Sequence, residues 1–252
     1  FRPLEAPPRI TNFRERLAQL ASTGIDRVLV LKFNAELRDM SAEDFVSRVF
    51  VKGLGARYIA LGDDFRFGNS REGDYDYVRG LAAKFDYEVQ PTGTLEIAGA
   101  RVSSTRIRLA LAEGNFTEVQ QLLGRPFTMT GRVEHGRKLG RELGAPTANI
   151  RINRIRSPLS GVFAVRVDGA GLESAAAVAN VGTRPTVDDG LKANLEVHLL
   201  DRKCDLYGQR LEVRFLHKLR EEIKYESLDA LKEGIAKDID NARRWLAQPG
   251  RS

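Results

Sequence analysis

Several common chemistries are missing from this sequence for want of the residues that carry them. Its 252 residues hold one cysteine, Cys204. That excludes an internal disulfide and a cysteine-based zinc site, and it fits a reducing, cytoplasmic setting. Only three histidines occur, His135, His198 and His217, all in the second half. Each reads more simply as a structural residue than as a ligand or base. No apolar run approaches the roughly 20 residues that span a bilayer, so no membrane partner is expected. The opening FRPLEAPPRI has no apolar core or cleavage site of a signal peptide. It lacks Met and reads as the middle of an extended, proline-rich stretch, so a natural start further upstream is expected. The phosphate-binding pattern GxxxxGK[ST] is absent, as are internal repeats and low-complexity segments.

Acidic charge is also short, but only locally. The net charge is +6. Residues 1–124 carry 17 Lys and Arg against 17 Asp and Glu, whereas 125–156 carry eight against Glu134 and Glu142. A local cation cluster among glycines suits a polyphosphate at least as well as a nucleic-acid backbone. Few aromatics accompany the cluster, which removes the stacking platforms expected for single strands. No nucleic-acid partner is expected.

The remaining sequence divides near Gly124-Arg125-Pro126, giving domains over 1–124 and 125–252. The first half alternates helical and strand patterns. Asn12 caps a helix to about Ser22. The apolar run 24–33 reads as a buried parallel strand. Ser41 opens a helix to about Lys52, and 56–62 is a second strand. A helix over 74–85 precedes a strand over 87–97. Helices over 103–114 and 115–124 each stop at Gly. Such alternation implies a parallel sheet with functional loops at the strand C-terminal ends, where GDDFRFG (62–68) lies. After Arg125 the periodicity drops to two in five short stretches separated by Gly, Asp and Asn, which predicts a small antiparallel barrel. An amphipathic helix from Ser227 to about Leu246 closes the chain, with Leu228, Leu231, Ile235, Ile239 and the Arg243/Trp245 region as its stripe.

Three segments carry chemistry. In GRVEHGRKLGRELGAPTAN (131–149), Gly131, Gly136, Gly140 and Gly144 alternate with Arg132, Arg137, Lys138 and Arg141. Backbone N–H groups freed by glycine and flanking cations can cradle phosphate, although a solvated hairpin loop has the same composition. Pro146 sets a rigid turn, and Thr147 and Asn149 then share one face of an extended chain. Their oxygens suit Mg²⁺ shared with substrate phosphates, or alternatively a turn that satisfies its own backbone. In LEVHLLD (195–201), Leu195, Val197 and Leu199 face one side and Glu196, His198 and Leu200 the other. Glu196 is either a general base for a hydroxyl substrate or an exposed strand charge.

Together these segments resemble the bacterial bifunctional riboflavin kinase/FMN adenylyltransferases. GDDFRFG, SSTRIR (103–108), LLGRPF (122–127), the 131–150 segment, GVFAV (161–165), ANVGTRPT (179–186), LEVHLLD, DLYG (205–208) and LREEIKYESLDAL (219–231) carry the resemblance, in collinear order over nearly the whole chain. It implies an α/β nucleotidyltransferase-like (Rossmann-like) domain with a parallel sheet, then a Greek-key β-barrel with a C-terminal helix. The implied substrates are riboflavin, FMN and ATP, with Mg²⁺, in a monomer or weak homo-oligomer. A flavin-binding module without turnover is the competing class; the Glu196 and Thr147/Asn149 combination favours the enzyme.

Residue by residue, the resemblance implies Glu196 as catalytic base and Thr147 and Asn149 as metal ligands. Gly131, Lys138, Gly140, Arg141, Gly144, Pro146, Thr147, Asn180 and Tyr207 would bind ATP. Arg220, Tyr225 and Ser227 would close over the flavin. In the first domain, Asp64, Phe65 and Phe67 would bind FMN. Ser103, Ser104, Thr105 and Arg108, with Arg106 as the alternative, would hold nucleotide phosphate at a helix start. The HxGH-type signature with which the family's adenylyltransferase half begins does not occur, so this chain is expected to transfer AMP poorly.

Overall fold

A computed structural model describes residues 6–135, 145–186, 190–202, 204–248 and 250. The chain forms two compact units, residues 27–102 and residues 1–26 with 103–252.

In the smaller unit, β1 (Tyr58–Gly62) pairs in parallel with β2 (Glu88–Thr92). Helix α2 (Ala35–Asp39) precedes α3 (Ala42–Phe45), which Ser41 caps by accepting from the Asp44 N–H at 3.1 Å. The α3 helix continues over Val46–Gly53 with the wider π-type turn. Helices α4 (Tyr75–Gly80) and α5 (Ala82–Phe85) replace the single helix expected over 74–85. The expected strand over 87–97 also breaks: after β2, β3 (Glu96–Ile97) turns back on β4 (Ala100–Arg101) as a short antiparallel pair. Pro91, Gly93 and the turn at Ala98-Gly99, both with positive φ, account for the break. Ala42, Val46, Ile59, Leu61, Phe67, Val78 and Tyr87 form this unit's core.

The apolar run at 24–33 is not a strand. Ile25, Val28, Leu29, Val30, Leu31 and Phe33 are all exposed, from 42% to 59%. A parallel strand needs hydrogen-bonding neighbours and cover on both faces, and the parallel pairing among the described residues is spent between β1 and β2. Apolar composition supplies neither neighbour nor cover.

In the larger unit, α1 (Phe13–Ser22) begins with a reciprocal cap. Asn12 Oδ1 accepts from the Glu15 N–H at 2.9 Å, and Glu15 accepts from the Asn12 N–H at 2.7 Å. Helices α6 (Ser104–Glu113) and α7 (Phe116–Leu123) each end on a glycine in the left-handed region, Gly114 and Gly124. Six antiparallel strands follow: β5 (Thr128–Glu134), β6 (Ala148–Arg151), β7 (Gly161–Gly169), β8 (Leu172–Thr186), β9 (Gly190–Leu199) and β10 (Arg210–Arg220). They close into a barrel in the order β10-β5-β6-β9-β8-β7. The order β6-β9-β8-β7 is a Greek key: three hairpin-linked strands with β6 returned beside the last. β6 is the strand that period-two patterning misses, being only four residues long.

Alternation sorts the barrel's two faces. Phe163, Val165, Leu195, Val197, Val213 and Phe215 fill the inside, each at most 1% exposed. Phe116 of α7 meets Phe163 edge-on at 5.9 Å, tying the helix to this core. Outside, Val162, Ala164 and Val178 are covered by Ala242 and Leu246 of the closing helix α8 (Leu228–Leu246), with Ile239 and Trp245 beside them. The expected stripe is thus displaced toward the C-terminal half of α8, and Leu228 is 67% exposed.

A buried charge pair docks α1 on the barrel. Glu15 accepts from the Thr130 N–H of β5 at 2.7 Å and pairs with Arg154, and both side chains are at most 2% exposed. Burial pulls the Arg154 guanidinium below its usual pKa, and the neighbouring Glu15 charge opposes that shift. Removing one partner of a buried pair strands the other's charge, at a cost on the order of 3–5 kcal/mol. Glu15→Gln is therefore expected to lower the barrel's unfolding free energy by about that amount, as chemical denaturation followed by tryptophan fluorescence will show.

Candidate active site

Strand register assembles the site. In antiparallel pairing, directly opposed residues share a face. Asn149 of β6 stands opposite Glu196 of β9, and Glu196 stands opposite Asn180 of β8. The row extends through Glu134 of β5 on one side, and through Val162 of β7 to Arg220 of β10 on the other. It lies on the outer face, since Leu195 and Val197 flanking Glu196 point into the core. Glu196, Asn149 and Asn180, separated by as many as 47 residues in sequence, thus become neighbours across three strands.

Glu196 is half-buried, and its Oε1 accepts from Asn194 Nδ2 at 2.9 Å. Asn149 Oδ1 is buried with no hydrogen-bond partner among the described residues. A buried carbonyl oxygen left unpaired costs on the order of 1–3 kcal/mol. This one stands opposite a carboxylate. Thr147 stands just before β6. It lines a cavity of about 730 Å³ together with Pro146, Ala148, Val197, Leu206 and Tyr207. Asn149 and Asn194 line a second cavity of about 470 Å³. The Thr147–Asn149 segment therefore borders both spaces. Among the described residues, no three His, Cys, Asp or Glu side chains group as a self-sufficient metal site. The oxygens of Thr147 and Asn149 suit a hard cation only if a ligand supplies the remaining donors.

The other expected residues fall as follows. His198 Nδ1 donates to the Pro146 carbonyl at 2.9 Å, steadying the turn before Thr147. Tyr207 stacks on His135 with ring centroids 4.0 Å apart, and His217 stacks on Trp245 at 4.9 Å. Gly131 is buried within β5, where a Cβ would stand 2.3 Å from the Arg151 carbonyl oxygen; close strand approach requires glycine there. Lys138, Gly140, Arg141 and Gly144 lie outside the described residues. Arg220 is joined to Tyr225 and Asp238, while the Ser227 hydroxyl caps α8 by accepting from the Ala230 N–H at 3.1 Å.

In the smaller unit, Asp64 accepts from Arg101 at 2.8 Å. Phe65 stacks on Phe67, which is 8% exposed and belongs to the core. In the larger unit, Ser103 caps α6 by accepting from the Arg106 N–H at 3.2 Å, and Ser104 and Thr105 are exposed in its first turn. Arg106 pairs with Glu118 at 2.8 Å, and Arg108 donates to the Pro8 carbonyl at 2.8 Å.

Two groups escaped the sequence reading. Asn194 stands two residues before Glu196 on the same strand face, a spacing that period two makes visible. Asp238 is a carboxylate between Ile235 and Ala242 on the covered side of α8, and a charge inside an apolar stripe is the signal that marks it.

Comparison with known proteins adds a second line. Residues 123–246 match the family model described as riboflavin kinase, and residues 1–106 the one described as FAD synthetase. A Pseudomonas fluorescens protein named bifunctional riboflavin kinase/FMN adenylyltransferase is 49% identical over 247 residues, covering 98% of this chain and 79% of that protein. The one of the same name from Escherichia coli K12 is 44% identical over 242 residues, covering 96% and 77%. A crystal structure titled macrolide-efflux protein from Streptococcus pneumoniae superposes with a TM-score of 0.77 at 32% identity, over 96% of this chain and 80% of that one.

Because Asn149 Oδ1 has no partner among the described residues, Asn149→Ala is expected to leave the ligand-free melting temperature within about 2–4 °C, the shift that a 1 kcal/mol change produces in a chain this size. Calorimetry checks this.

Proposed function

We propose, from the premise that this chain belongs to the bifunctional riboflavin kinase/FMN adenylyltransferase family, that the row centred on Glu196 is its phosphoryl-transfer site. Membership places the chain in FAD biosynthesis from riboflavin, with riboflavin kinase and FMN adenylyltransferase activities. We assign phosphorylation to residues 125–252 and adenylylation to 1–124. The observation that carries the site reading is the register: Asn149, with its unpartnered Oδ1, directly opposite Glu196.

In this reading the ribityl 5′-hydroxyl lies against Glu196. The carboxylate takes the hydroxyl proton as the oxygen attacks the terminal phosphorus of ATP, and ADP departs. Asn194 holds the carboxylate's orientation through the 2.9 Å bond. The larger cavity, with Thr147, Pro146 and Tyr207 in its wall, takes the nucleotide. The loop carrying Lys138, Gly140, Arg141 and Gly144 is assigned to its phosphates by sequence. Thr147 and Asn149 would hold Mg²⁺, which when bound offsets phosphate charge. Positioning and charge compensation are most of what such a transfer requires. Arg220 and Tyr225 border the acceptor side, and Asn180 is assigned with Tyr207 to the nucleotide. For adenylylation we assign Asp64, Phe65 and Phe67 to FMN, and the α6 start at Ser103, Ser104, Thr105 and Arg108 to nucleotide phosphate.

Glu196→Gln is expected to keep ATP binding and cut riboflavin phosphorylation by about 10²-fold or more. Single-turnover flavin chromatography measures it, and wild-type turnover would refute the base assignment. Thr147→Ala should shift the magnesium titration of activity to higher concentration; an unmoved titration would remove Thr147 from the metal.

A further inference from the structure

The segment that leaves β10 is stapled to α8 at its first residue. Arg220 donates Nε to Asp238 Oδ1 at 2.8 Å and Nη2 to Asp238 Oδ2 at 2.6 Å, a two-pronged pair. Arg220 Nη2 also donates to the Tyr225 hydroxyl at 2.9 Å, and Nη1 to the Glu221 carbonyl at 2.8 Å. Asp238 is 6% exposed, so this carboxylate is committed inside the fold. Burial opposes the Arg220 charge, but the hydrogen bond and charge of Asp238 prevail and hold its pKa above the ordinary value. Gly234, one turn before Asp238, makes room for the staple: a Cβ there would stand 2.1 Å from the Tyr225 hydroxyl oxygen.

Between the stapled ends lies Glu222, an exposed carboxylate. A Cβ built on Gly182 of β8 would stand 2.4 Å from Glu222 Oε1, so the carboxylate rests directly over that glycine. Gly182 pairs with Asn194, the residue that orients Glu196, and lies two positions from Asn180 on the same strand. A second carboxylate thus reaches the face that bears Glu196.

We infer that Glu222 accepts hydrogen bonds from the hydroxyl groups of the acceptor alcohol, and that Asp238, through Arg220, is the positioning residue that places it. This rests on the phosphoryl-transfer reading of the Glu196 row. A neutral polyol chain offers several O–H donors and no charge. A carboxylate, which is acceptor-only when ionised, matches that chemistry, and the adjacent Arg220 offsets its charge. Gly182 is then the residue that leaves space for both the carboxylate and the polyol.

The test is steady-state kinetics on the full chain with riboflavin and Mg-ATP for Glu222→Ala, Asp238→Asn and the double variant, with melting temperatures alongside. Glu222→Ala and Asp238→Asn should each raise the riboflavin KM about tenfold, the scale of one lost hydrogen bond to a charged group, with the ATP KM unchanged. The double variant should be no worse than the weaker-binding single, since residues acting as one unit are not additive. A wild-type riboflavin KM for Glu222→Ala overturns the inference, and so do additive effects. An Asp238→Asn that lowers kcat alone, as a reduced active fraction would, overturns the positioning role. Glu222 is exposed, so its variant remains informative if Asp238→Asn fails to fold. Glu196→Gln separates the two levels. Full turnover there sinks the site reading, whereas an inactive Glu196→Gln beside a normal Glu222→Ala sinks only this inference.

Discussion

The register between β6 and β9 is the constraint on which the rest of the site depends. Asn149 opposite Glu196 puts an unpartnered oxygen beside a carboxylate on the outer face, while Ile150 and Leu195 beside them enter the core. A slip of one residue would send both polar groups inward and both apolar ones out. The hydrophobic interior therefore enforces the geometry of the proposed site. Closure of the barrel strengthens that control, because each strand is held by two neighbours and cannot shift alone.

Two ion pairs fasten helices to this frame at different depths. Glu15 and Arg154 are enclosed almost completely and also satisfy backbone groups of α1 and β5. Such a pair is an uncertain source of net stability, because desolvation offsets attraction, yet it is costly to break. Its effect is to specify one docking of α1. The Arg220–Asp238 pair is more open on the arginine side, 23% against 8%. It binds α8 to the end of β10, which is also the end of the polar row. The apolar contacts of Val162, Ala164, Ala242 and Leu246 hold the same helix from beneath. Packing sets where α8 lies, and the ion pair sets how the segment before it is threaded.

Legibility in the sequence followed the range of the interactions involved. Helix caps at Asn12, Ser41, Asp74, Ser103, Asn115 and Ser227 are local, and so are the glycine stops at Gly114 and Gly124. The inside-outside alternation of Leu195 to Leu200 was equally readable, because period two is a property of one strand. The 24–33 run misled for the converse reason: its strand character required partners elsewhere. The short β6 was legible only as an extended Thr147–Asn149 spacing. Its pairing with both β5 and β9 is a fact about three strands at once.

By itself the sequence determined the order of helices and strands over most of the chain, the change from helical to period-two patterning after Arg125, the candidate base and metal-facing oxygens, and the family. Each of these is written within a few consecutive residues or in the collinear order of motifs. Only the tertiary structure decided that Glu196, Asn149 and Asn180 share one row, that Asn194 orients the carboxylate, and that Asp238 on α8 grips Arg220. Those relations join positions far apart in the chain, and the free energy that selects them comes from burying the whole barrel interior together.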